Sequence, residues 1–501
     1  MKKEIITRDK LYAFIYCVFI SFIFLLIFSI SSSPLYTFPF THDSGIFQII
    51  GKEWMNGLVP YRDIWDNKGP LLYFVNGLGY LMTGNKIGIF IIQLFNLSIA
   101  IFILYKLFRL EFSFYKSLFL TSFILIWLSN TIYNNSVGEY ILIPLNLSYY
   151  LLYKWLKSFT ISKANHPYSY SIVYGITLGF GFLLRLTDVL TLFMTLIVIS
   201  FYILSFRQWT NWFINFLICL GSFIISIIPF IFYFFTKGAF DDFWYATISH
   251  NFEYLSQSEF KSYYWYGIGS FSLSFANYIG ILLGGILVLL FNRKRKYFAI
   301  SWIVPSLTML LLLFNSYASG NYAISSMPFF CFVVIELSYL HYNRKSSVYP
   351  LFLYLFFGLL SSGFIYQLWQ TKTRDSKPNP MIGLYKKVEH TIPIEERNLF
   401  IAYNCKADIY YYTSLRPCYP YFITMQHYLN SDKDSLRKKI INAYKTRKAK
   451  WILVRYPTYP NFIKGILNRY YDVEMNFPRE EFSLYHIKEG RCATKVRDAT
   501  L

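Results

Sequence analysis

Apolar runs of about 20 residues, the length an α-helix needs to cross a hydrocarbon core of roughly 30 Å, recur along this chain from Leu11 to about Gln370. Eleven such segments can be drawn, at 11–30, 87–105, 117–133, 139–156, 171–186, 189–206, 213–236, 269–291, 298–315, 322–341 and 349–369. The fifth and sixth are parted only by Leu186-Thr187-Asp188. The composition agrees, because 55% of the 501 residues are hydrophobic, 22% are aromatic and only 15% are charged, which excludes a string of soluble domains. The expected fold class is therefore an α-helical polytopic membrane protein with about eleven transmembrane helices. The first run is too long for the apolar core of a secretory signal and no clear small-x-small cleavage site follows it, so it is expected to remain as an anchor.

Lys and Arg in short loops set the orientation. With the N-terminus cytoplasmic, the inner loops carry Lys2, Lys3, Arg8, Lys10, Lys106, Arg109, Lys116, Lys154, Lys157, Lys163, Arg207, Arg293 to Lys296, Arg344 and Lys345, while the outer ones carry only Lys52, Arg62, Lys68, Lys86, Arg185, Lys237 and Lys261. Much of the +21 net charge is thus topological, and a nucleic-acid partner is not needed to explain it. An odd number of spans places the residues after about 372 outside the cytoplasm. That segment, 372–501, reads as a small soluble extracytoplasmic α/β domain, with short buried strands at Asn398–Ala402 and Lys450–Val454, a polar amphipathic helix at Asp434–Tyr444 and a closing strand at Glu481–His486. Residues 1–371 form the membrane domain, and its first outer loop, 31–86, carries two surface helices. Without eukaryotic targeting signals, a bacterial inner membrane is the expected location.

The remaining motifs exclude more than they assign. The sequence holds no P-loop, HExxH, CxxC or internal repeat. Its seven histidines are scattered with no metal-ligand spacing, so no cofactor is expected, a single carboxylate-bound divalent ion being the open alternative. Cys405 and Cys418 fall in the outer segment, where a disulfide is chemically allowed; free buried thiols are the alternative.

The chemistry-bearing residues gather at the outer ends of the spans. Asp43 in Thr41-His42-Asp43-Ser44-Gly45 opens a run, Ile46, Phe47, Ile49, Ile50 and Trp54, with the spacing of a surface helix. At such a helix start the dipole favours a carboxylate, able to accept a proton from an incoming hydroxyl or amine; the structural alternative is an ordinary N-cap. In Asp66-Asn67-Lys68-Gly69-Pro70 the proline opens a second surface helix, with Leu71, Leu72, Phe74, Val75 and Leu78 as its apolar face. Lys68 stands just before that helix, where charge and orphan amides together suit a phosphate; snorkelling to lipid headgroups is its plainer role. Arg62, Asp63 and Asp66 read as a set of ion pairs holding the loop. Glu139 opens the fourth span. Arg185 ends the fifth, against the topological bias, and would suit a lipid phosphate; Tyr317, Asn321 and Tyr322 are placed to add neutral hydrogen bonds, with aromatic-belt anchoring as the default for the tyrosines.

These residues resemble the GT-C superfamily of polyprenyl-phosphate-sugar-dependent glycosyltransferases, in particular the branch with protein O-mannosyltransferases and aminoarabinose transferases, and the likeness covers most of the chain. Asp43 matches the acidic base position of the family's first outer loop, and Lys68 in Asp66-Asn67-Lys68-Gly69-Pro70-Leu71-Leu72-Tyr73 matches its phosphate-binding lysine. Gly138-Glu139-Tyr140 resembles the acidic element before the fourth span, and Phe182-Leu183-Leu184-Arg185 the arginine after the fifth. The stretch Ser319 to Pro328 fits the late outer-loop pattern but lacks the histidine often found there. The resemblance implies inverting transfer of a sugar from an undecaprenyl- or dolichyl-phosphate-like donor to a lipid, glycan or protein acceptor at the outer face. Asp43 would be catalytic; Lys68, Arg185 and Tyr322 would hold the donor phosphate; His42, Arg62, Asp66 and Glu139 would contact the acceptor or support the site. Two rivals remain. A glycan polymerase or ligase acting on a pyrophosphate-linked oligosaccharide would need a long groove beside Asp43. A transporter would need ionisable residues near the bilayer midplane, of which the spans show almost none.

Overall fold

In the computed structural model, the described residues are 2–36, 42–129, 131, 133–159, 165–256, 273–292, 295–314, 320–344, 364–365, 368, 380–422, 435–455 and 461–488. The first part is helical: α1 (Lys2–Phe28), α2 (His42–Met55), α3 (Pro70–Thr83), α4 (Lys86–Phe108), α5 (Phe114–Leu128), α6 (Leu142–Ser158), α7 (Tyr168–Leu184), α8 (Leu190–Ser205), α9 (Trp209–Thr236), α10 (Phe240–Trp244), α11 (His250–Ser256), α12 (Leu273–Phe291), α13 (Lys296–Phe314) and α14 (Met327–Arg344). Ten of the eleven apolar segments drawn from the sequence fall on these helices, and most of the eleventh, 349–369, lies outside the described residues. By length and composition, five described stretches are apolar enough to cross a membrane: Arg8–Phe28, Lys86–Phe108, Leu186–Ser205, Trp209–Thr236 and Lys296–Leu313. Large apolar side chains stay on the outside of this bundle, among them Phe19, Phe95, Phe201, Ile225 and Phe235, as a hydrocarbon solvent permits.

The segment 31–86 contains α2 and α3, but α2 differs from the expected surface helix. Residues 44–51 are buried on every side, because α3 covers one face and the C-terminal part of the chain covers another. Gly51 and Gly77 let α2 and α3 touch backbone to backbone; a Cβ on Gly51 would stand 2.5 Å from the Gly77 nitrogen. On α3, Phe74, Leu78 and Leu81 face outward while Leu72, Tyr73 and Asn76 are buried, so that helix does present an apolar face to its surroundings.

Opposite this loop, the other ends of the helices are clasped by charge. Glu336 of α14 is fully buried and pairs with Arg295, which also donates to the Tyr153 hydroxyl at 3.3 Å. That hydroxyl donates to Glu111 at 3.0 Å, and Lys157 pairs with Glu111 at 3.1 Å. Two acids and two bases thus balance where the connections after α4, α6 and α12 meet α14.

The C-terminal part carries α15 (Pro380–Thr391), β1 (Phe400–Tyr403), α16 (Asp408–Tyr412), α17 (Ser435–Lys445), β2 (Trp451–Arg455), α18 (Asn461–Tyr470), β3 (Tyr471–Phe477) and β4 (Phe482–Ile487). The sheet order is β1-β2-β4-β3, with β1 and β2 parallel and the other pairs antiparallel. A parallel pair requires a crossover, and α17 lies within it. The three strands and the helix expected from sequence appear, shifted by one or two residues; β3, α15, α16 and α18 were not foreseen. Cys405 and Cys418 are free buried thiols, packed and not bridged.

This sheet unit sits on α2 and the loop that follows it. Arg416 Nε donates to the buried Glu53 of α2 at 2.7 Å, Lys52 Nζ donates to the Tyr410 carbonyl at 3.3 Å, and the Trp65 N–H donates to the Pro420 carbonyl at 2.9 Å. Removing the buried Glu53 frees the half-exposed Arg416 from α2 and lets it turn to water. Glu53→Ala is therefore expected to raise amide exchange across residues 410–422 at least several-fold in the full-length protein, read by hydrogen–deuterium exchange; unchanged protection would mean that this ion pair does not hold the unit.

Within the unit, burial alone would raise the Glu389 carboxyl. The Lys386 ammonium at 2.8 Å and the Ser414 N–H and O–H at 2.6 and 2.7 Å outweigh it and bring the group from its usual 4.5 down to about 2. A depressed acid contributes stability that is full above its unfolded value and lost as pH falls through the folded one. Between pH 4.5 and 2 the protection of β1 is expected to drop in wild type, and Glu389→Gln should flatten that fall.

Candidate active site

Asp43 lies in the first turn of α2 and is exposed. The helix start beneath it rests on a buried amide network. Asn135 Nδ2 donates to Ser44 Oγ and to Asn76 Oδ1, both at 2.9 Å; the Tyr140 hydroxyl donates to Asn135 Oδ1, and Gln48 Nε2 donates to Ser44 Oγ at 3.1 Å. Asn135 itself adopts a left-handed φ of 59°, a conformation Asn tolerates better than most residues. His42 is the first residue of the same helix.

Glu139 is fully buried and both its oxygens are occupied: Ser136 N–H donates to Oε1 at 2.8 Å and Gln93 Nε2 to Oε2 at 2.6 Å. Its carbonyl accepts from Asn96 at 2.7 Å, while Gln93 Oε1 accepts from Ser29 at 3.1 Å and from Ser32. Glu139 therefore ties α4 to the turn after α1 and to the entrance of α6. This is a supporting position, closed to an acceptor.

The loop between α2 and α3 presents Lys68. Its backbone is fixed on both sides: the Tyr61 hydroxyl donates to the Lys68 carbonyl at 2.7 Å, and the Lys68 N–H donates to the Tyr73 hydroxyl at 3.1 Å. Tyr73 in turn donates to Asp66 Oδ2 at 2.7 Å. Asn67 accepts from Lys68 Nζ at 2.6 Å and is braced by Asn251 of α11 through two contacts of 3.2 Å. The Gly69 N–H donates to the Leu184 carbonyl at 3.0 Å, and a Cβ on Gly69 would lie 2.1 Å from the Leu183 oxygen. Only glycine permits that approach. It brings the lysine loop against the end of α7, where the next residue is Arg185.

Arg185 is mostly buried and grips Asp188 with two hydrogen bonds, Nε to Oδ2 at 3.0 Å and Nη2 to Oδ1 at 2.6 Å. Its guanidinium lies 4.5 Å from the centre of the Tyr322 ring. Tyr322 belongs to a 3-10 turn, Gly320–Ser326, before α14. The Tyr278 and Ser325 hydroxyls approach the Tyr322 carbonyl at 3.5 and 3.1 Å.

Electrostatics join these pieces. Burial raises the Asp66 carboxyl above its usual range, Lys68 and the Tyr73 hydroxyl pull it back, and the charge of Asp43 pushes it up again. Asp43 also acts on Arg185, after the larger effects of burial and of Asp188. Asp43, Asp66, Lys68, Arg185 and Tyr322 therefore form one neighbourhood, from residues 279 positions apart in sequence at their extremes, 43 to 322. Arg62 stands outside it: it pairs with Asp63 at 2.8 Å and donates to the Lys237 carbonyl at 2.7 Å, pinning the loop to the end of α9. Asp66 thus parts from the ion-pair set in which the sequence placed it. Sequence reasoning passed over Tyr73, Asp188 and Asn251. The spacing of Asp188, three residues after Arg185, was a readable signal; Asn251 had none. Among the described residues no group of three or more His, Cys, Asp or Glu is arranged to hold a metal ion.

A buried hydroxyl between a carboxylate and the half-buried Lys68, together with a fixed cation at a helix end, can bind an anion and deliver a base beside it. Making the loop leave α7 should be costly. Gly69→Ala is expected to lower the melting temperature by the equivalent of about 1–3 kcal/mol of overpacking, whereas Gly465→Ala, with nothing within 4 Å of the added carbon, should leave it unchanged or higher; equal melting of both variants with wild type would show that the Gly69 contact is not formed.

No family model matches the chain, and no curated protein matches it in sequence. In structure it is similar to ArnT from Cupriavidus metallidurans bound to undecaprenyl phosphate, with a TM-score of 0.56 and 12% identity over 95% of this chain and 99% of that one. The apo state of the same ArnT gives 0.53 and 11% over 92% and 96%. The Archaeoglobus fulgidus oligosaccharyltransferase, in complex with Zn and sulfate, gives 0.50 and 11% over 97% of this chain and 74% of that one. At these identities the likeness is one of fold, and it agrees with the GT-C resemblance carried by the residues around Asp43 and Lys68.

Proposed function

We propose that this chain is an inverting GT-C-fold glycosyltransferase that moves a sugar from a polyprenyl-phosphate-linked donor to a lipid, glycan or protein acceptor at the outer face of a membrane. The docking of Gly69 on Leu184 carries the reading, because it sets Lys68 next to Arg185 within the field of Asp43. In the reaction the acceptor oxygen or nitrogen attacks the anomeric carbon as the bond from that carbon to the lipid phosphate breaks. The acceptor proton passes to Asp43, and the departing phosphate takes the electron pair. Lys68 would meet that growing charge, a preorganised contact worth on the order of 3 kcal/mol by analogy with a single oxyanion donor. Arg185 already shares its charge with Asp188, so its part is chiefly to hold Tyr322 and the phosphate side of the site in place. Asp66 is buried and hydrogen-bonded to Tyr73, which leaves Asp43 as the exposed carboxylate of this neighbourhood among the described residues and favours a single displacement over a glycosyl-enzyme intermediate.

The topology follows the same reading: about eleven spans, an N-terminus in the cytoplasm of a bacterial cell, a membrane domain over residues 1–371 and an extracytoplasmic unit over 372–501. The structure does add one ionisable cluster, at the helix ends opposite the Lys68 loop. It is charge-balanced and tied by hydrogen bonds, so it supports a structural clasp better than a transport path.

Turnover of radiolabelled polyprenyl-phosphate sugars by the purified protein, with crude membranes as acceptor, tests the proposal. Wild type should release lipid phosphate, and Asp43→Asn and Lys68→Ala should each lower the rate about 100-fold or more. A wild type that leaves every donor intact but moves it across vesicles would replace the transferase with a transporter.

A further inference from the structure

At the opposite end of α7 from Arg185 lies a second feature that the transfer reaction does not use. A cavity of about 420 Å³ opens between α7, α8 and α9, within the size range of about 300–1,000 Å³ of ligand sites. Its walls are hydrocarbon and aromatic, with Leu178, Phe193, Leu196 and Phe216 among them. The polar groups at its His166 end are committed to each other. Ser171 donates to Asn215 Oδ1 at 2.6 Å, Asn215 Nδ2 donates to the His166 carbonyl at 3.0 Å, and the Tyr174 hydroxyl meets His166 Nε2 at 3.3 Å. Ser200 and the Trp212 ring add the remaining polar atoms to a wall that is otherwise apolar, so the cavity offers an occupant mainly hydrocarbon surface, which disfavours a sugar or another polar solute and favours a hydrocarbon chain.

The opening faces sideways. Phe193, Phe201 and Phe216, all lining residues, are 50%, 65% and 50% exposed, and only 6% of the apolar window of α9 is buried. A chain can therefore enter from the surface that lies against lipid. Beside the His166 end of the cavity the chain turns from α8 into α9 through Arg207, exposed and in the left-handed region at φ 58°, three residues beyond the lining Leu204 and two before the exposed Trp209. An exposed arginine and a tryptophan at the rim of an apolar slot match the headgroup depth of a membrane, and the arginine gives that rim the sign that attracts an anionic lipid. The rim lies one helix away from Lys68, since α7 runs from Tyr168 to Leu184, about 25 Å at 1.5 Å per residue.

We infer that the cavity between α7, α8 and α9 is a binding site for one acyl chain of an anionic phospholipid from the leaflet opposite the Lys68 site, with its headgroup at Arg207. The site is separate from the sugar donor's phosphate, and binding is read without turnover.

The test is titration of delipidated full-length protein with dioleoyl phosphatidylglycerol, followed by native mass spectrometry and by melting temperature. Wild type should retain one phosphatidylglycerol per chain and melt several degrees higher with it. Ser200→Trp, which fills the cavity from a lining position, should lose that adduct and that shift while melting like wild type without lipid. Arg207→Glu should keep an adduct but bind phosphatidylglycerol at least about fivefold more weakly, with no preference over phosphatidylcholine. Equal retention of the lipid by wild type and Ser200→Trp would overturn the site. Displacement of the bound lipid by undecaprenyl phosphate in wild type, at one-to-one stoichiometry, would overturn it too, because the slot would then belong to the donor's tail.

Discussion

The contact between the Gly69 peptide and the end of α7 is the constraint on which the rest of the site depends. Among the described residues Lys68 has no long-range ion partner of its own, and its side-chain reach alone would let it drift with its loop. The hydrogen bond from Gly69 to the Leu184 carbonyl, at a separation that excludes any Cβ, fixes the loop to a helix. Arg185 is the next residue on that helix, so one backbone contact sets the spacing of two cations. Tyr61 and Tyr73 hold the lysine backbone from either side, while the ammonium rests on the neighbouring Asn67 side chain, a contact it can exchange for a ligand.

Two supports outside the loop keep that contact in register. The C-terminal sheet unit grips the same stretch from the other side, through the Trp65 N–H on Pro420 and through Glu53 on Arg416. The amide network of Asn135, Ser44 and Asn76 fixes the start of α2, and Glu139 with Gln93 fixes the turn from which Asn135 projects. Buried polar groups satisfied in this way rigidify their surroundings, since no member can move without leaving another unpaired. The acid that the sequence placed near the chemistry thus acts from beneath it.

Much of this was legible in the chain. The helices of the bundle follow from apolar run length, and the helix starts at His42 and Pro70 from a polar break and a proline. Strands β1 and β2 announced themselves as short unbroken apolar runs, as buried parallel strands do. The edge strand β3 did not, although Tyr-Asp-Val-Glu-Met-Asn-Phe alternates strictly; its charged residues resemble a solvated loop, and its exposed face has no core to mark it. The burial of α2 was hidden for a related reason. Periodicity shows that one face is apolar, but Ser44, Gln48 and Glu53 on the remaining faces are buried by partners far away in sequence. Asp188 and Asn251 depend in the same way on tertiary placement.

The central claim is that a lipid phosphate sits on Lys68 beside Arg185 with Asp43 facing the bond that breaks. The most direct measurement is a cryo-electron microscopy structure of the full-length protein in lipid nanodiscs with undecaprenyl phosphate. The account predicts phosphate density within hydrogen-bond reach of Lys68 Nζ, on the Arg185 side of the loop, with the Asp43 carboxylate open toward it. Phosphate density at another place on the protein, with the Lys68 loop seated on α7 and empty, would contradict it.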